Sequence, residues 1–325
     1  MKRKRVAIIG GGASGCFLAH LLGKKESVSI SIFEKSRGLG GRCSPRRHKD
    51  FGVFNMGAQF MTNKNPELTD FFLSLEQESL LVTLPENSIA YYASGRFQEA
   101  FKEKRYVSPT GMNSFLKKWA KKASLHLESE IERVSFSDNK WVLYGKQGKI
   151  FDDFDACVFS LPPKQLEPFY DLSSKLKEKL PELLPCLALM LVTDKVCVTY
   201  PSAFLKSERL CWYSSSNCKN YLQKWLVHAS PSWSLKYFNE DPKEIQKKMI
   251  EELEKIVGIH LSLKFKTFHR WRYAFNTGSL SVSSFWDSKN SLGFMGDWFV
   301  GGRVEGAMTS AYSLYKSLSP SLHKK

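Results

Sequence analysis

The chain has no CxxC pair, no His/Cys cluster at zinc-ligand spacing, and no apolar run near the roughly 18 residues a membrane helix needs. The seven cysteines (Cys16, Cys43, Cys157, Cys186, Cys197, Cys211, Cys218) are scattered and odd in number. That argues against a disulfide framework and for reduced thiols in a cytoplasmic protein. No metal site and no membrane span are expected. Acidic residues are also scarce: 32 Asp and Glu against 48 Lys and Arg, a formal charge of +16. The excess concentrates in residues 1–125, with 21 basic side chains against 10 acidic. Such a field suits an anionic ligand or an acidic partner, and a solvated lysine-rich surface gives the same count. No nucleic-acid partner is expected. A hydrophobic share of 42% with 25% charged residues excludes a disordered or collagen-like chain. At 325 residues the chain has room for two domains or one large interleaved one.

Lys2-Arg3-Lys4-Arg5 followed by apolar residues up to Leu22 imitates a secretion signal, but three consecutive glycines are wrong for a signal helix. They fit a different pattern. Val6–Ile9 is a short apolar run, as in a strand buried on both faces. It leads into Gly10-Gly11-Gly12-Ala13-Ser14-Gly15, a GxGxxG pattern on Gly10, Gly12 and Gly15. A helical stretch to Leu22 follows, then the alternating Val28–Phe33, with Glu34 at its end. In a dinucleotide site Gly10 permits the tight turn, Gly12 lets a pyrophosphate approach the backbone, and Gly15 lets helix and strand pack closely. The helix N-terminus offers N–H groups to phosphate, and the Glu34 carboxylate accepts from an adenosine ribose.

Glu34-Lys35-Ser36-Arg37-Gly38-Leu39-Gly40-Gly41-Arg42 resembles a second fingerprint of FAD enzymes, in which the loop returns across the pyrophosphate and the arginine contacts it. Near the other end, Leu292–Asp297 reads as a short strand ending in Gly-Asp, and an apolar stripe from Val304 through Ala307, Met308 and Ala311 reads as a helix. The Asp of such a strand end binds the ribityl chain in FAD enzymes, and the following helix aims its N-terminus at the flavin. Glu305 at the helix start fits a cofactor contact or a plain helix-dipole role. Asn55–Phe60 reads as a strand-like stretch beneath the flavin, and a hairpin surrounds Val134 and Trp141–Tyr144.

GGGASG, EKSRGLGGR, GAQF, SLPPKQL, WLVHASPSWS, HRWRYA and GDW…GGRVEGA together resemble the renalase branch of the FAD-dependent amine oxidase superfamily, across nearly the whole chain. The resemblance implies FAD, and the lack of cysteine and histidine in Leu292–Ser310 makes noncovalent attachment the expectation. The resemblance makes Ser14, Arg42, Gln59 and Phe60 flavin contacts and gives Val134 a backbone contact to adenine. With Gly10, Gly12, Gly15, Glu34, Lys35, Gly41, Asp297, Val304, Glu305 and Ala307 these form the expected cofactor set. Departures from the family pattern at Asn55, Cys43 and Ala311 remove no phosphate-binding element.

The expected fold is therefore α/β: a Rossmann-type FAD-binding domain (1–65, 104–167, 286–325) interleaved with an α+β substrate domain (66–103, 168–285) of amine oxidase or p-hydroxybenzoate hydroxylase-like topology. An amphipathic helix is expected near Pro242–Val257. His228, His269, Trp271 and Tyr273 are the substrate-pocket candidates; a lone histidine on a strand also serves structure. The resemblance implies a small-molecule substrate, a misformed dihydronicotinamide dinucleotide (2- or 6-dihydro-NAD(P)), oxidised with O2 as acceptor to give hydrogen peroxide. No catalytic triad is present, and a dihydronicotinamide needs no base to surrender hydride. The alternatives are an amine oxidase or desaturase on the same scaffold, and a flavin-free binding protein resembling GDP-dissociation inhibitors.

Overall fold

A computed structural model describes residues 3–99, 102–172 and 180–322. One layer is a six-stranded sheet in the order 285–287, 292–294, 156–159, 4–9, 28–33, 124–126. The strand Lys4–Ile9 pairs in parallel with Val28–Phe33 on one side and Ala156–Phe159 on the other. Its Val6–Ile9 part is covered on both faces, which is why that part is continuously apolar, with Val6, Ala7 and Ile8 wholly buried. The helices Ala13–Leu22 and Arg303–Leu318 share a core on one face, where Phe17 and Leu18 meet Met308 and Leu314. An antiparallel sheet of Ile131–Ser137, Lys140–Gly145 and Ile150–Phe154 joins Ala7, Ile9 and Phe33 in a second core. Leu292–Phe294 pairs in parallel with Ala156–Phe159, so the two ends of the chain build one nucleotide half.

The other layer is a seven-stranded sheet in the order 263–276, 183–194, 222–229, 210–217, 202–205, 89–93, 96–99. The helix Pro242–Val257 buries Ile245, Met249, Leu253 and Ile256 against it, at the spacing that predicts an amphipathic helix there. Asp241 caps its start by accepting the Lys243 N–H, and Gly258 ends it at φ 70°. The α/β class with a Rossmann-type part is as expected from sequence. The expected start of the substrate part at residue 66 precedes its sheet. The helix Thr69–Gln77 buries Phe72 and Leu75 in the core around Phe17, and the first strand of the seven-stranded sheet begins at Ile89. No described helix is long and apolar enough to cross a membrane.

Candidate cofactor and substrate site

The glycine loop lies where the central strand meets the first helix. Gly10 has φ 109°, and a Cβ there would fall on the Ser160 carbonyl oxygen. A Cβ on Gly15 would fall on the Gly10 carbonyl oxygen, so only glycine lets the helix pack this close. Around Gly12 the Cβ direction is empty to 4 Å, and this glycine opens onto a large cavity. The helix that follows has no side-chain cap and no acid in its first turn, which leaves its leading N–H groups for an anion. Ser14 Oγ lies 2.7 Å from Ser160 Oγ. Buried Glu34 accepts the Gly11 N–H and the Ser36 N–H, each at 2.8 Å, which pins the loop and leaves further lone pairs free for hydroxyl donors. Lys35 lies exposed on the cavity wall beside it.

Gly40 and Gly41, at φ 141° and 52°, turn the chain so that Arg42 reaches Asp297. The guanidinium forks onto the carboxylate, Nη1 to Oδ2 at 2.8 Å and Nη2 to Oδ1 at 2.5 Å. Asp297 is buried, and both residues line the cavity with Gly41, Val304 and Ala307. Two residues of the expected cofactor set, Glu305 and Val134, are not among those that line the cavity. The Glu305 carboxylate is turned away from the cavity: it accepts from the Thr62 hydroxyl at 2.7 Å, the Asn65 N–H at 2.8 Å and the Lys64 N–H. It ties the C-terminal helix to the 62–65 segment. Val134 is packed in the core with Trp141 and Leu143, and at that end of the cavity Ser129, Ile131 and Glu132 form the wall instead. The alternation of the hairpin's faces turns the Val134 side chain inward, which bears on its packing and not on the expected backbone contact.

Asn55–Phe60 is irregular rather than a strand, held by contacts to both halves. The Ala58 N–H bonds the Arg42 carbonyl at 2.9 Å, and a Cβ on Gly57 would collide with that carbonyl. From the seven-stranded sheet, His228 Nε2 at 3.0 Å and Trp271 Nε1 at 2.9 Å both meet the Met56 carbonyl. A carbonyl only accepts, so Nε2 of His228 carries a proton. Burial pushes the His228 pKa down to about 4, which leaves the ring neutral. His269, edge-on to Trp271 with ring centroids 4.4 Å apart, is also shifted down, by burial and then by Arg46. Gln59 donates to the Asn55 and Gly57 carbonyls and accepts from Ser214 at 3.0 Å. Phe60 meets Phe204 and Trp212, the latter two with centroids 4.9 Å apart. His228, His269, Trp271 and Tyr273 thus all line the cavity, with Phe204 and Trp212, which the sequence reading did not single out.

The cavity measures about 1600 Å³, beyond the roughly 300–1,000 Å³ of a usual single-ligand pocket. Its wall carries eight Lys and Arg against six Asp and Glu. The acids nearest the aromatic end are already engaged, Asp297 by Arg42 and Glu103 by Lys64 at 2.8 Å.

A glycine cradle open at Gly12, an uncapped helix start and a ribose-type acid, continuous with an aromatic chamber, define a dinucleotide-dependent oxidoreductase and fit FAD. The chain belongs to the flavin-containing amine oxidoreductase family, whose model matches residues 90–313; an NAD(P)-binding Rossmann-like domain model matches residues 8–75. It is 24% identical to renalase from Mus musculus, over 97% of this chain and 98% of that one. In structure it is similar to a putative protoporphyrinogen oxidase from Exiguobacterium sp. 255-15, at TM-score 0.80 and 13% identity over 98% of this chain and 99% of that one. It is also similar to cyclohexylamine oxidase from Brevibacterium oxydans IH-35A, at TM-score 0.74 and 11% identity over 99% of this chain and 100% of that one. The protein is an FAD-dependent oxidoreductase of the renalase-like kind, which sets aside the flavin-free binding-protein alternative.

Proposed function

We propose that this enzyme oxidises isomeric dihydronicotinamide dinucleotides, the 2- and 6-dihydro forms of NAD(P). Hydride leaves the substrate ring to give NAD(P)+, and O2 takes up that hydride's electron pair and proton together with one proton from solvent as hydrogen peroxide. FAD, when bound, supplies the hydride acceptor at N5 and the route to O2. In this reading the protein's own task is to bind, orient and keep out water. The glycine loop and first helix hold the pyrophosphate, with Arg42 as a charge-assisted contact and Asp297 on the ribityl chain. Trp271, Tyr273, Phe60 and Trp212 wall a flat ring. His228 has Nε2 engaged by the Met56 carbonyl and is made a weak base by burial, and a dihydronicotinamide requires no base because its ring nitrogen drives hydride departure.

The observation that carries this reading is the charge of the cavity as a whole. Cations outnumber acids on the wall, and Glu103 and Asp297 are paired, which favours a phosphate-bearing substrate over an ammonium. The cavity volume, beyond that of a usual single-ligand pocket, leaves room for a substrate beside the cofactor. The aromatic trio of Phe60, Phe204 and Trp212 also supports a second reading, oxidation of a neutral amine. Anaerobic stopped-flow mixing decides between them. The 2- or 6-dihydro isomers should bleach the flavin at least about a hundredfold faster than ordinary 4-dihydro-NADH, since a misplacement of about 1 Å costs that much. Bleaching by amines alone would transfer the assignment to the second reading, and equal rates for all dihydronicotinamides would leave a generic reductase.

A further inference from the structure

We infer that Arg303 is the residue that reads the substrate's phosphate; the inference rests on the substrate being a nicotinamide nucleotide. Arg303 opens the C-terminal helix, is exposed, lines the cavity, and makes no ion pair or hydrogen bond with the described residues. The other wall cations are engaged or differently placed. Arg42 is forked onto Asp297, Lys146 and Lys164 pair with Glu130 and Glu167, and Arg47 donates to the Thr110 carbonyl. Arg272 lies over the Phe238 ring at 5.1 Å. Lys35 and Arg37 follow Glu34, at the ribose-acid end of the cradle.

The location of Arg303 is set by its neighbours. The Cβ direction of Gly302 lies 3.4 Å from Asn276 Cβ, so the helix start abuts the end of the strand that carries Trp271 and Tyr273. Arg303 therefore stands where the two halves meet, between the flavin-facing helix start and the aromatic wall. A nicotinamide ring held among those aromatics has its nearest phosphate one ribose away, which brings it toward this rim. A guanidinium is the side chain best matched to it, as it presents a planar fork of donors to phosphate oxygens. Arg303 also holds φ 70°, after Gly301 at 86° and Gly302 at 93°. Glycine is the low-cost residue in that region, yet the chain places a long cation there.

The test uses FAD-loaded enzyme and reads dissociation constants from the shift of flavin absorbance on adding NAD+, nicotinamide mononucleotide or nicotinamide riboside. Wild type should bind the two phosphate-bearing ligands at least tenfold more tightly than the riboside, and added salt should narrow the gap. Arg303→Met should weaken both phosphate-bearing ligands about tenfold and leave the riboside unchanged. Arg303→Lys should recover part of the loss, which a purely structural role would not produce. If Arg303→Met fails to hold FAD, the lysine variant against wild type still gives the comparison. Undiminished phosphate preference in Arg303→Met would overturn the assignment while leaving the proposed function standing. Failure of all three ligands to perturb wild-type flavin, with no bleaching by any dihydronicotinamide, would overturn both.

Discussion

Arg42 and Asp297 stand 255 positions apart and meet as a forked ion pair on the cavity wall. Their charges are not equally sheltered: Asp297 is buried, whereas the Arg42 side chain is 31% exposed. Arg42→Ala leaves a buried carboxylate uncompensated, but Asp297→Asn keeps an acceptor and releases the guanidinium. Both variants should lose FAD on dilution, Arg42→Ala more severely. A lost charge-assisted contact is worth about 1.5–3 kcal/mol, roughly a tenfold to hundredfold rise in Kd. The double variant should fall short of the sum, because each residue is the other's partner. Equilibrium dialysis at micromolar protein checks this, and full FAD occupancy in both single variants would show that the cofactor lies elsewhere. Arg42 and Asp297 could each be found from their glycine neighbours in the sequence; their pairing could not, because no local pattern encodes a contact across 255 residues.

The nucleotide elements were legible because each carries its signature locally: an apolar strand, a glycine turn, a helix, an acid. The chamber elements were less so. Trp212 and Phe204 sit on adjacent strands of the seven-stranded sheet, and which face of a strand meets the cavity depends on how the two halves dock. Trp271 and Tyr273 lie two apart on one strand, which puts them on one face without saying which side of the sheet that face meets. Glu305, for which the sequence leaves a cofactor contact and a helix-dipole role open, shows the same limit: a helix start marks the residue without saying which way its side chain turns. Its observed role gives an element-scale prediction. Glu305→Ala leaves the buried Thr62 hydroxyl without its acceptor, at a cost of about 1–3 kcal/mol, while the Lys64 and Asn65 N–H groups, on an exposed and a half-buried residue, turn to water at less cost. Urea unfolding should show that loss, and the absorbance of the FAD-loaded variant should match wild type. A shifted flavin spectrum at full occupancy would return the carboxylate to the flavin.

At the scale of the whole molecule, the cofactor is expected to be gripped by many contacts from both chain ends rather than tethered by one bond. Cys43, the thiol next to Arg42 on the cavity wall, is buried, and burial pushes its pKa up to about 12, so it stays a protonated, unreactive thiol. Acid precipitation should release all the yellow colour to the supernatant; colour held in the pellet would mean a covalent tether. The same scale shows how the halves are joined. Residues 46–59 leave the nucleotide half and are bonded to the seven-stranded sheet along their length. Arg46 bonds Thr267, Lys224 bonds the Val53 carbonyl, His228 and Trp271 share the Met56 carbonyl, and Ser214 bonds Gln59. A seam fastened at so many points is laced rather than hinged. Swinging the halves apart would strip these bonds one after another, so ligands are expected to pass through the mouth of the chamber with the two halves still joined.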